Sequence, residues 1–170
     1  MSTSLFVLVV VHVAISLVGI AAGFVWMAGL VRRHESRFWT NMFLAFTVLT
    51  SLTGFLFPFV KVTPGIVLGV LSMFALGLAI YARPGRRLAG TWNTSYIVSG
   101  LVAQYFNVFV LIVQSFQKIP ALHALAPTQS EPPFAITQVV VLLSFIAVGV
   151  LSLKRNPWTH PAIHWTPKSI

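Results

Sequence analysis

Five stretches of this sequence, 4–31, 38–59, 62–82, 92–117 and 134–153, each run for twenty residues or more without one charged side chain. About 20 helical residues cross a hydrocarbon core of about 30 Å. Inside such a core every backbone N–H and C=O must be satisfied within its own segment, so each run predicts a membrane-spanning helix. Composition agrees. Only 8% of the 170 residues are charged, against about 25% in a soluble domain. Mean hydropathy is +0.90. A chain this apolar lacks the polar surface of a water-soluble fold, is too hydrophobic for disorder, and has no cysteine for a disulfide scaffold. The expected fold class is all-α: a polytopic transmembrane helical bundle of five spans, one membrane domain over 1–170.

The charges fall between these runs. If the first, third and last cationic stretches share a side, that side holds Arg32, Arg33, Arg37, Arg83, Arg86, Arg87, Lys154, Arg155 and Lys168, leaving Lys61 and Lys118 opposite. The positive-inside rule then places the amino terminus outside, an outer loop at 118–133, and a cytoplasmic tail at 154–170. The high isoelectric point, about 11.4, follows from the same distribution and implies no nucleic-acid partner. The first run has no cationic segment before it, far exceeds a signal-peptide core and is followed by Arg32-Arg33, so it reads as a permanent helix.

Helices in lipid associate through close packing and interhelical hydrogen bonds. Gly19 and Gly23 in the first run, and Gly65 and Gly69 in the third, are GxxxG pairs that predict helix contacts, with His12 and Ser16 on the same face as the first pair. The fourth run places Gln104, Asn107, Gln114 and Lys118 on one face. Carboxamides bring donors and acceptors that lipid cannot satisfy, so they must face the bundle or a wet cavity. The second run carries Thr47, Thr50, Ser51 and Thr53, of which the last three lie in the same outer half as Asn107 and Gln114, with Thr137 and Gln138 at the outer start of the fifth. A polar pocket is therefore expected in the outer half, with His12, Gln104, Asn107, Gln114, Gln138 and Thr50 as ligand-binding candidates. The 118–133 segment is expected to roof it. The alternative is a set of hydrogen bonds that only lock the helices together.

Within 118–133 the spacing predicts a short amphipathic helix between Pro120 and Pro127. Ser130-Glu131-Pro132-Pro133 reads as a helix start, with Ser130 as cap and Glu131 at the positive dipole end.

The stretches TVLTSLTGFLFP at 47–58, QYFNVFVLIVQ at 104–114 and APTQSEPP at 126–133 resemble a family of small, uncharacterised multi-spanning bacterial proteins. The resemblance covers most of the chain. It implies a bacterial inner-membrane setting and carries over no activity and no site residues.

The chemistry available is narrow. Glu35 and Glu131 are the only carboxylates, one on each side, which excludes paired-carboxylate catalysis and an intramembrane acidic proton relay. No phosphate-loop, dinucleotide, zinc-protease or serine-hydrolase motif is present. A b-type haem held by His12 and His123 is one opening, since two imidazoles are a common ligand pair. On the tail, His160 and His164 have metal-compatible spacing but Pro161 between them, and Trp158 and Trp165 suit interfacial anchoring better. Three functions follow. The first is a non-enzymatic accessory subunit or binder of a quinone or lipid, requiring no cofactor. The second is a haem-binding electron-transfer protein, and the third a small transporter or channel. The bilayer is the expected partner, with a membrane protein or a second copy of the chain as further candidates.

Overall fold

In a computed structural model, residues 3–58, 64–85 and 91–155 are described, and among them all regular structure is helical. The elements are α1 (Thr3–Arg32), α2 (Arg37–Gly54), α3 (Pro64–Gly85), α4 (Thr91–Lys118), α5 (Pro120–Leu125) and α6 (Pro132–Arg155). Val62, Thr63, Lys61, Arg86, Arg87 and the tail beyond Arg155, with His160, His164, Trp158, Trp165 and Lys168, lie outside the described residues.

Four helices, α1, α3, α4 and α6, are long and apolar enough to cross a membrane. The second run behaves differently from expectation, because its helix closes at Gly54 instead of continuing to residue 59. There the Phe55 N–H is shared between the Ser51 and Leu52 carbonyls, and the Leu56 N–H turns back to Thr53. This tightened turn precedes Pro58, whose ring disfavours helical backbone at the residue before it. At 18 residues and about 1.5 Å per residue, α2 is about 27 Å long.

The long helices alternate in direction. His12 near the start of α1 meets Thr53 near the end of α2, and Asn41 near the start of α2 meets Arg83 near the end of α3. Tyr81 near the end of α3 meets Trp92 at the start of α4, and Phe116 of α4 meets Phe134 of α6. Helix α4 is the hub and touches every other helix.

Small residues set how closely the hub is approached. The Trp26 indole of α1 stacks on Phe43 of α2, with ring centroids 4.8 Å apart, and meets Tyr96 of α4 edge-on. It fits because α4 carries Gly100 there: a Cβ at that position would lie 2.5 Å from Trp26 Cη2. Both glycines of the first pair make real contacts, Gly19 against Phe46 of α2 and Gly23 against Gln104 of α4. Gly69 faces the Phe55 ring. Gly65, expected to share this packing role, is exposed and lines the cavity described below.

Helix α1 ends in a Schellman motif. The His34 N–H bonds to Gly29 O at 2.9 Å, the Arg33 N–H bonds to Leu30 O, and Arg33 has a φ of 58°. The reversal brings Glu35 over the start of α2, where Thr40 Oγ1 donates to its carboxylate at 2.8 Å. Tyr96 OH donates to the same oxygen and accepts the Trp26 indole N–H at 2.9 Å. Glu35, which the sequence alone left without a task, thus joins α1, α2 and α4 at the arginine-bearing end.

Alanine at Gly23 is expected to lower stability by about 1–3 kcal/mol, because its Cβ would lie 2.2 Å from Gln104 Oε1 in a filled notch. Alanine at Gly77, where nothing lies within 4 Å, is expected to change stability by less than about 1 kcal/mol. Thermal unfolding of the two variants in detergent checks the contrast.

Candidate functional site

A cavity of about 630 Å³ opens between α1, α2, α3 and α4, in the half of the bundle that holds the amino end of α1. Ligand sites typically occupy about 300–1,000 Å³. Most of its wall is apolar, with Leu17, Ile20, Phe57, Leu68, Phe106 and Val110 among the lining side chains. Polar groups are set into that wall by each helix. His12 and Ser16 come from α1, Thr50 and Ser51 from α2, Ser72 from α3, and Asn107, Gln114 and Lys118 from α4.

Some of these groups are already engaged. His12 Nδ1 lies 2.8 Å from Thr53 Oγ1, and that hydroxyl is also 2.7 Å from the Leu49 carbonyl of its own helix. With the hydroxyl proton directed to Leu49, the proton between His12 and Thr53 comes from Nδ1, which leaves His12 Nε2 as an acceptor. The imidazole is held edge-on against Phe57 at 5.2 Å. Ser16 Oγ donates back to the His12 carbonyl, and Asn107 Nδ2 donates to Thr47 Oγ1 at 3.2 Å.

Others are not engaged. The Ser72 hydroxyl is buried, with the residue only 3% exposed, and has no hydrogen-bond partner among the described residues. Thr50 Oγ1 is buried and equally unpartnered. An unmade hydrogen bond in a dry interior costs about 1–3 kcal/mol, and two residues that line this cavity carry such a hydroxyl. The Lys118 ammonium lies on the same lining, and no carboxylate does.

Of the six ligand-binding candidates, four line this cavity: His12, Thr50, Asn107 and Gln114. Gln104 and Gln138 do not. Gln104 is fully buried one turn deeper, where α1 crosses α4, and its Nε2 donates to Ile20 O at 2.9 Å across the Gly23 notch. Gln138 sits on the opposite flank of α4 and points its Nε2 at Phe109 O, 3.5 Å away. These two carboxamides fasten helices to one another. Ser72 was visible in the sequence only as a small residue following Gly69, with nothing to single it out as a donor.

The expected roof is also placed differently. Only Lys118 and Ile119 of the 118–133 segment reach the cavity. The short helix forms as the spacing predicts, but as α5 it lies beside α4 with no buried residue. Gln129, with a φ of 60°, ties the rest of the loop to α4 by donating from Nε2 to Val113 O at 2.9 Å. His123 is exposed on α5 and does not line the cavity, so among the described residues no second imidazole shares it with His12. Among the described residues no cluster of three metal-ligating side chains occurs.

Ser130 does not cap α6. Glu131 organises that turn instead, accepting from Thr128 N–H, Thr128 Oγ1 and Ser130 N–H at 2.9–3.1 Å. Desolvation opposes its ionisation, but these hydrogen bonds outweigh it and hold the carboxyl below its usual 4.5. The folded pKa is depressed, so this contribution to loop order is complete above about 4.5 and is lost as pH falls through the lower folded value. Hydrogen exchange at Thr128 and Ser130 is therefore expected to be slower in the wild type than in Glu131→Gln at neutral pH. That difference is expected to vanish in strong acid.

Compared with known proteins, the chain matches no family model, no curated protein and no solved structure.

Proposed function

We propose that this chain is a five-span protein of the bacterial inner membrane that binds a lipophilic small molecule, a quinone or a lipid, in the cavity between α1 and α4. In this reading α2 is the fifth membrane-crossing helix, the amino terminus is outside and the carboxyl terminus is cytoplasmic. The alternating helix directions and the grouping of Arg32, Arg33, Arg37 and Arg83 away from Lys118 support that orientation. The cavity then lies in the outer half of the membrane.

The observation that carries the reading is the buried, unpartnered Ser72 hydroxyl on the wall of a largely apolar cavity. Thr50 supplies a second free donor, Gln114 and Lys118 supply donors nearer the end of α4, and His12 Nε2 supplies an acceptor. Such a set suits a guest with an apolar body and a head rich in carbonyl or other acceptor oxygens. Binding needs no catalytic carboxylate pair, and none is present. A conduction role would need polar groups through both halves of the bundle, whereas this lining is confined to one.

Native mass spectrometry of gently extracted protein tests the proposal. A defined lipid or quinone adduct is expected, retained about tenfold less by Ser72→Val, in line with one lost hydrogen bond of about 1.4 kcal/mol. Gln114→Leu is expected to weaken it in the same direction, and Ser144→Ala on the far helix to leave it unchanged. A stoichiometric protein partner on a preparation without any adduct would replace ligand binding by an accessory-subunit role.

A further inference from the structure

A second concavity, of about 1050 Å³, lies between α2 and α3 at the opposite, arginine-bearing end. One end of it carries Arg37, Asn41 and Arg83, with Glu35 beside them. The remainder is apolar and follows α2 through Leu44, Ala45, Val48 and Leu49, with Ile80 across from them on α3. Arg83 is not free to wander, because its Nη1 donates to Asn41 Oδ1 at 2.5 Å, which fixes the guanidinium and leaves its other N–H groups available. Arg37 is exposed, and among the described residues it has no hydrogen-bond or ion-pair partner. The Glu35 Oε1 accepts from both Tyr96 and Thr40, and among the described residues Glu35 forms no ion pair with either arginine.

We propose that this groove is a binding site for an anionic phospholipid. The phosphodiester is held between Arg37 and Arg83, and an acyl chain lies along the Ala45, Val48, Leu49 and Ile80 surface. Two guanidiniums against one carboxylate leave a net positive mouth, which selects an anionic head over a zwitterionic one. Basic pockets between membrane helices at a cation-rich end bind such heads in this way. The apolar floor argues for a lipid and against a free phosphate, since a soluble anion would leave Leu49 and Ile80, both more than 40% exposed, uncovered. The groove shares no lining residue with the first cavity, so it stands or falls independently of the proposed quinone or lipid guest there.

The test uses the full chain in detergent, titrated with phosphatidylglycerol or phosphatidylcholine of identical acyl chains and read by native mass spectrometry. Phosphatidylglycerol is expected to be retained about tenfold better. The Arg37→Gln/Arg83→Gln double variant is expected to bring it down to the phosphatidylcholine level, while Lys154→Gln leaves it unchanged. Ala45→Trp, which blocks the groove without altering charge, is expected to reduce both lipids. Equal retention of the two lipids by the wild type would overturn the proposal, as would an equal loss with Lys154→Gln. Displacement of the lipid by glycerol 3-phosphate alone would also overturn it and point to a soluble anion site. A protein that copurifies on this face and is released by Ala45→Trp would replace the lipid as occupant.

Discussion

An indole buried among three helices fixes the geometry of this bundle. Trp26 is 1% exposed, stacked on Phe43 and seated against Gly100, and its N–H needs a partner that the apolar surroundings cannot offer. Tyr96 provides it and in turn donates its own hydroxyl hydrogen bond to Glu35, which also accepts one from Thr40. The chain thereby ties α1, α2 and α4 together at one end through a network whose members each satisfy another. Such a network is worth most where water is excluded, because removing any one member strands the next. The cavity of about 630 Å³ lies toward the other end of the bundle, away from this network.

The buried polar groups divide by what covers them. Gln104 and Gln138 each spend an amide N–H on the backbone carbonyl of a neighbouring helix, and this helps hold α4 to α1 and α6. Asn107 reaches α2 by donating to the Thr47 hydroxyl oxygen while still edging the cavity. The Ser72 and Thr50 hydroxyls have no partner among the described residues. Residues of similar polarity at similar depth therefore serve packing in one place and border an open space in another, according to whether a helix lies opposite.

That division also marks how far the sequence could be read. The long uncharged runs, the glycine notches at Gly19 and Gly23, and the short helix after Pro120 were legible because each depends on local composition or spacing. The shared face of Asn107, Gln114 and Lys118 was legible for the same reason. Spacing says which side chains lie on one stripe, but not which neighbour that stripe meets along its length. Gln104 belongs to the same stripe, yet α1 crosses just at its level, so it left the predicted pocket. The halt at Gly54 was hidden because the residues after it are as apolar as those before. Glu35 was hidden because it sits in a charged connection, where nothing local announces that the Schellman turn at Arg33 will aim it back at Tyr96.

The unequal lengths of the first two helices have a mechanical consequence for the surrounding bilayer. At about 1.5 Å per residue, α1 extends about 45 Å and α2 about 27 Å, while the hydrocarbon thickness is about 30 Å. In the five-span reading proposed above, no flat membrane matches both, so α1 would tilt or protrude and the lipids bordering α2 would compress. Hydrophobic mismatch of this kind is relieved unevenly around the circumference, which makes the protein a lopsided inclusion. In that reading bilayer thickness acts on the protein as a variable in its own right, the long α1 and the short α2 favouring opposite thicknesses.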